Sequence, residues 1–117
     1  ATAGGAYLLS AKQRYNERVI TGVANLRHAY TFDKKELKAW IGSKDPNAEW
    51  PDFRGAGYLL SNAFRTSSST PPEKLPSVKA WKAFEKGVEE FGKGKEDSDG
   101  VETLLNVYLD AVELVIP

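Results

Sequence analysis

The chain has 117 residues, with sixteen Lys and Arg balanced by sixteen Asp and Glu, one histidine and no cysteine or methionine. Its length fits one domain able to bury roughly two thirds of the surface its unfolded form would expose, so no metal or disulfide is needed to hold it together. The charge balance gives no net positive field for nucleic acid, the lack of cysteine excludes disulfides and thiolate chemistry, and no apolar run approaches the roughly 20 residues of a membrane span.

The first nine residues are expected to be a loosely ordered segment, and Ala1-Thr2-Ala3-Gly4-Gly5 resembles the small-residue context around a signal-peptidase cut as much as an ordinary frayed terminus. Ser10 and Gln13 have capping-box spacing, and Tyr15, Val19, Val23, Leu26 and Tyr30 follow at the three- and four-residue steps of one helix face. A long first helix starting near Ser10 is therefore expected. After a kink near 31–33, Asp33-Lys34-Lys35-Glu36 restarts or continues it, with Leu37, Trp40 and Ile41 turned inward and Gly42 as the stop.

Ser43-Lys44-Asp45-Pro46-Asn47 is turn chemistry. The next helix carries Phe53, Gly57, Leu60 and Phe64 on one face and starts between Asp45 and Pro51, since proline fits only its first turn. Thr66-Ser67-Ser68-Ser69-Thr70-Pro71-Pro72 reads as a surface connection. Val78, Trp81, Phe84, Val88 and Phe91 then form a strong stripe after Pro76, ended by the basic turn Gly92-Lys93-Gly94-Lys95. Asp99 and Glu102 make a candidate capping box for a last helix beginning near Gly100, with Val101, Leu104, Leu105, Tyr108, Leu109, Val112, Val115 and Ile116 inward. The sum is an all-α, single-domain chain: a left-handed up-down-up-down four-helix bundle, with room for a short extra helix over 33–41.

Little in this pattern carries catalytic chemistry. His28 is turned about 200° from Leu26 around the helix and is expected in solvent, and too few soft or imidazole ligands exist for haem, zinc or copper. Glu89 and Glu90 diverge by about 100° on a helix, while 96–100 superficially resembles a calcium loop without its terminal bidentate glutamate. Ser67 to Ser69 has no partner base, and Gly55 and Gly57 lie inside a helix, where they fit a close helix crossing better than a phosphate loop. The expectation is a non-catalytic protein without cofactor, metal or small-molecule substrate. Trp40, Trp50 and Trp81 are expected in the core or plugging its ends. Arg14 and Arg18 share one helix face, as do Lys34 and Lys38; with Lys35 they form an early basic surface, a solvated face or a docking patch for an acidic partner.

Glu49-Trp50-Pro51-Asp52-Phe53-Arg54, running into Gly57-Tyr58-Leu59-Leu60, resembles the start of the second helix in the PsbQ-type extrinsic proteins of photosystem II. The likeness extends in outline over residues 10–117, and within the family the small lumenal extrinsic subunit of diatoms fits best. Two features depart from the plant pattern: Leu60 stands where an arginine often follows Tyr-Leu, and a chain without the long proline-rich arm before Ala1 is expected. The resemblance implies a subunit peripheral to the thylakoid membrane on its lumenal side, in the chloroplast. There it would shield the manganese–calcium cluster held by other subunits and help retain calcium and chloride. Its partners would be the photosystem II core and other extrinsic subunits, met through Arg14, Arg18, Lys34, Lys35 and Lys38, without nucleic acid. The competing class is an exported helical interaction module with no photosynthetic role.

Overall fold

The computed structural model describes residues 3–65 and 69–116, with side chains from Leu8 onward. All regular structure among them is helical: α1 (Ala3–Ala29), α2 (Lys34–Gly42), α3 (Glu49–Asn62), a 3₁₀ turn (Pro72–Lys74), α4 (Pro76–Gly92) and α5 (Ser98–Ala111). Thr66, Ser67 and Ser68 of the expected linker, and Ala1 and Thr2 of the expected processing context, lie outside the described residues.

α3 stops at Asn62, short of the Phe64 expected on its face, and three further boundaries differ from the sequence expectation, each for a local reason. α1 begins at Ala3, seven residues before Ser10, which is an exposed mid-helix position. The Ser10–Gln13 spacing satisfies the capping pattern, but a cap residue must itself leave the helical backbone conformation, and Ser10 lies within a helix that already runs through 6–9. α5 is capped by Asp97, not Asp99: its backbone is extended and its carboxylate accepts the Gly100 N–H at 2.8 Å. Glu102, expected to close the capping box, reaches away across the structure to α1. α5 also ends early, at Ala111. Glu113 takes a left-handed φ of 56°, its N–H and that of Leu114 bond back into the last turn, and Val115 is left 87% exposed instead of inward.

Elsewhere the local chemistry acts as expected. Past Ala29 the chain tightens into i→i+3 bonds from Thr31 and Phe32, and Asp33 starts α2 by accepting the Glu36 N–H at 2.8 Å. Asp45 holds the following turn through the Asn47 N–H. Pro51 sits third in α3, where its missing N–H would have had no helical partner, and Pro76 opens α4.

The helices pack around a shared core, α1 against α3, α3 against α4 and α4 against α5, with α2 lying on α4 and α3. Gly22 of α1 lies against the Phe53 ring of α3, and Arg18 meets Asp52 beside it. Gly57 of α3 lies against Trp81 of α4, while Ser77 at the head of α4 donates to the Ser61 carbonyl at the tail of α3. Tyr108 of α5 stacks edge-on to Trp81, ring centroids 5.0 Å apart. α5 returns alongside α1: Lys12 pairs with Glu113 at one end, and Glu102 receives Arg27 and the Tyr30 hydroxyl at the other.

Trp50, Phe53, Trp81, Phe84 and Tyr108 are fully buried in the centre, flanked by Val19, Val23 and Leu26 from α1. Trp40 covers this cluster from α2, stacked on Trp50 at 5.6 Å and donating its indole N–H to Glu49. Its apolar body thus faces the core while its polar edge reaches the surface.

Two tyrosines tie this packing to pH. Burial pushes the Tyr108 hydroxyl well above the ordinary tyrosine pKa. Tyr30 is raised by burial first, then by its hydrogen bond to Glu102 and that carboxylate's charge, against a lowering by Arg27. A folded pKa above the unfolded one favours the neutral, folded form below the unfolded value and forfeits that stability as pH rises past about 10. The expected tyrosinate absorbance titration has two phases, the later one coinciding with loss of helical circular dichroism. A single phase of all five tyrosines with helicity intact would contradict the burial of these two.

Candidate functional site

The basic residues singled out by the sequence fall into two groups. Asp33 fixes the start of α2, and burial of Leu37 with half-burial of Trp40 and Ile41 leaves Lys34, Lys35 and Lys38 exposed on the other flanks. Arg14 is exposed on α1, its guanidinium 6.0 Å from the Tyr15 ring centroid. At about 1.5 Å rise per residue, Arg14 lies roughly 22 Å along α1 from Ala29, beyond which α2 begins. These side chains do not form one continuous patch.

Arg18 is engaged within the fold. Its Nη2 donates to Asp52 Oδ1 at 2.7 Å and to the Asp52 carbonyl at 3.4 Å, with its guanidinium 5.8 Å from the same Tyr15 ring. With side chains 41% and 42% exposed, this pair contributes only about 0–1 kcal/mol, but it aims Arg18 at α3. The partner lies 34 residues away, so no local signal could have revealed it.

One α2 lysine, Lys38, borders a concave feature. A groove of about 380 Å³ runs between the C-terminal ends of α2 and α4, lined by Lys38, Ile41, Gly42, Glu89, Gly92 and Lys93. A Cβ on Gly92 would run into Ile41 Cδ1, so the bare glycine lets α2 approach α4 there, whereas Gly42 faces open space. Lys93 was readable in the sequence only as part of a flexible basic turn. Its Nζ comes within 3.9 Å of Glu90, the limit of an ion pair.

The acidic candidates have local duties. Asp97 caps α5, and the Glu96 carboxylate accepts the Asp97 N–H at 3.0 Å. Glu89 is exposed and Glu90 half-buried. Among the described residues no three histidine or carboxylate side chains gather at metal-binding distance, and no helix is long and apolar enough to cross a membrane. His28 is exposed, edge-on to Phe32 at 5.2 Å.

The arrangement is an all-helical scaffold with an aromatic core and a lysine-flanked surface groove. No protein family, no curated protein and no solved structure matches the chain.

Proposed function

We propose that α1, α3, α4 and α5 make an up-down-up-down four-helix bundle with α2 against one end, and that this bundle is a non-catalytic extrinsic subunit of photosystem II. It would dock on the lumenal face of the thylakoid membrane, stabilise the oxygen-evolving manganese–calcium cluster bound by other subunits and help retain calcium and chloride. The observation that supports this reading most is the Trp50-Pro51 pair at the head of α3. Trp50 is a fully buried centre of the core and Pro51 sits in the first helical turn, which gives a structural reason for the segment on which the likeness to PsbQ-type proteins rests.

Docking of this kind works through complementary charge and excluded solvent, and it weakens with salt. Arg14, Lys34, Lys35 and Lys38 are the exposed cations offered to acidic lumenal surfaces. Arg18, also expected there, is directed at Asp52. Single charge removals at an exposed rim should be nearly silent, at about 0–1 kcal/mol each. The combination Arg14→Glu, Lys34→Glu and Lys38→Glu should weaken rebinding to salt-washed photosystem II and reduce recovered oxygen evolution at low calcium and chloride, with helical circular dichroism unchanged. If the wild-type chain neither rebinds nor restores activity, the photosystem reading is wrong. A second reading, an exported helical interaction module unrelated to photosynthesis, is favoured by the α2–α4 groove, which needs no photosystem to be useful.

A further inference from the structure

We infer that the groove between the C-terminal ends of α2 and α4 receives an acidic segment of a partner protein, whose carboxylates meet Lys38 and Lys93 while one of its apolar side chains lies on Ile41. The inference rests on the docking reading above and names the chemistry of what docks.

Shape is the first support. Gly42 and Gly92 are the last residues of their helices, and both line the groove without side chains of their own. Ile41 lies over the bare backbone of Gly92, giving the trough an apolar floor, while the Gly42 side stays open. A volume of about 380 Å³ suits an aliphatic side chain with a short stretch of backbone, at the small end of ligand-sized pockets.

Charge is the second. Lys38 has no ion-pair partner among the described residues, and Lys93 has only the outer-limit contact with Glu90. Lys34 precedes Lys38 by one turn on the same flank and is likewise exposed without an ion pair among those residues. Glu89 is the single carboxylate of the lining. Two cations beside an apolar floor, with Lys34 one turn away, select an anionic segment with an apolar anchor, the pattern of an interface centre with a charged rim. A polyphosphate backbone fits poorly, because it has no apolar group to lay on the Ile41 floor, whereas an acidic peptide can place one there between its carboxylates.

The test is a titration of the ¹⁵N-labelled full chain with an end-blocked peptide, Asp-Asp-Leu-Asp-Asp, and with its Asn-Asn-Leu-Asn-Asn counterpart. Amide shifts should move at Gly42, Gly92 and Lys93 and their neighbours, and the asparagine peptide should bind about tenfold more weakly, since two or three surface charge pairs are lost. Gly42→Leu extends a side chain into open space with no backbone penalty and should block binding while leaving helicity intact. Lys38→Glu combined with Lys93→Glu should abolish the preference for the acidic peptide. No shift at these amides, shifts centred elsewhere, equal binding of both peptides, or normal binding by Gly42→Leu would each overturn the inference. The photosystem reading fails separately: groove binding by the peptide without photosystem rebinding defeats that reading alone, and rebinding by a chain that ignores the peptide defeats the groove alone.

Discussion

Replacing Phe84 by alanine should lower the unfolding free energy by about 3–5 kcal/mol, the range for truncating a fully buried aromatic residue. Phe84 has no exposed surface, and its ring lies 5.3 Å from Trp81, 5.6 Å from Phe53, 6.2 Å from Trp50 and 6.3 Å from Tyr108. With its α4 neighbour Trp81, it bridges the rings of α3 to Tyr108 of α5. Its neighbours are aromatic plates held by one another and cannot collapse into the space as a flexible leucine shell would, so most of the cavity term should persist. Against a total stability of roughly 5–15 kcal/mol for such a domain, the urea midpoint should fall by about a fifth or more with an unchanged slope. A midpoint equal to wild type would mean that the α4 face is wrongly assigned.

The elements most legible in the sequence were those whose signals repeat. The stripe from Val78 through Phe91 offers five apolar residues at helical spacing, and the structure buries four of them fully, with Phe91 half-covered edge-on to Tyr30. Val19, Val23 and Leu26 behave alike. Single-residue signals were weaker guides. Asp97, Ser98 and Asp99 can each cap a helix, and only the extended backbone at Asp97 decides among them. Glu102 matched a capping box, yet it is drawn 72 residues back along the chain to the Tyr30 hydroxyl at 2.8 Å. Such choices are made by packing, not by neighbours in sequence.

The same division governs the candidate site. Lys34, Lys35 and Lys38 were visible as exposed positions because Leu37, Trp40 and Ile41 mark the buried side of α2. The groove was not, because Gly42 and Gly92 look like two ordinary helix stops until α2 is laid on α4 and one groove is lined by both Lys38 and Lys93. Arg14 and Arg18 share a helix face in the sequence, but Asp52 takes Arg18 while Arg14 stays exposed.

Gly57 and Gly55 should respond with opposite signs to added side chains, although they lie two residues apart in α3. A Cβ on Gly57 would overlap three atoms of the Trp81 six-membered ring, and that ring is fixed by Tyr108 at 5.0 Å, Phe84 at 5.3 Å and Phe53 at 5.6 Å. Relief therefore requires α3 to back away. The Gly57 carbonyl also accepts the Tyr108 hydroxyl at 2.9 Å, so withdrawal stretches the only hydrogen bond shown for a fully buried phenol. Overpacking costs about 1–3 kcal/mol, and leaving a buried donor unpaired costs about 1–3 kcal/mol more. Helix propensity pulls the other way by about 1 kcal/mol for alanine over glycine, and by less for valine. Gly57→Val should thus lose about 2–5 kcal/mol. Gly55 has nothing within 4 Å of its would-be Cβ, so only the propensity term remains and Gly55→Ala should gain about 0.5–1 kcal/mol. Chemical denaturation of the two variants decides the matter: a stabilised Gly57→Val would show that α3 and α4 do not approach as closely as Trp81 requires.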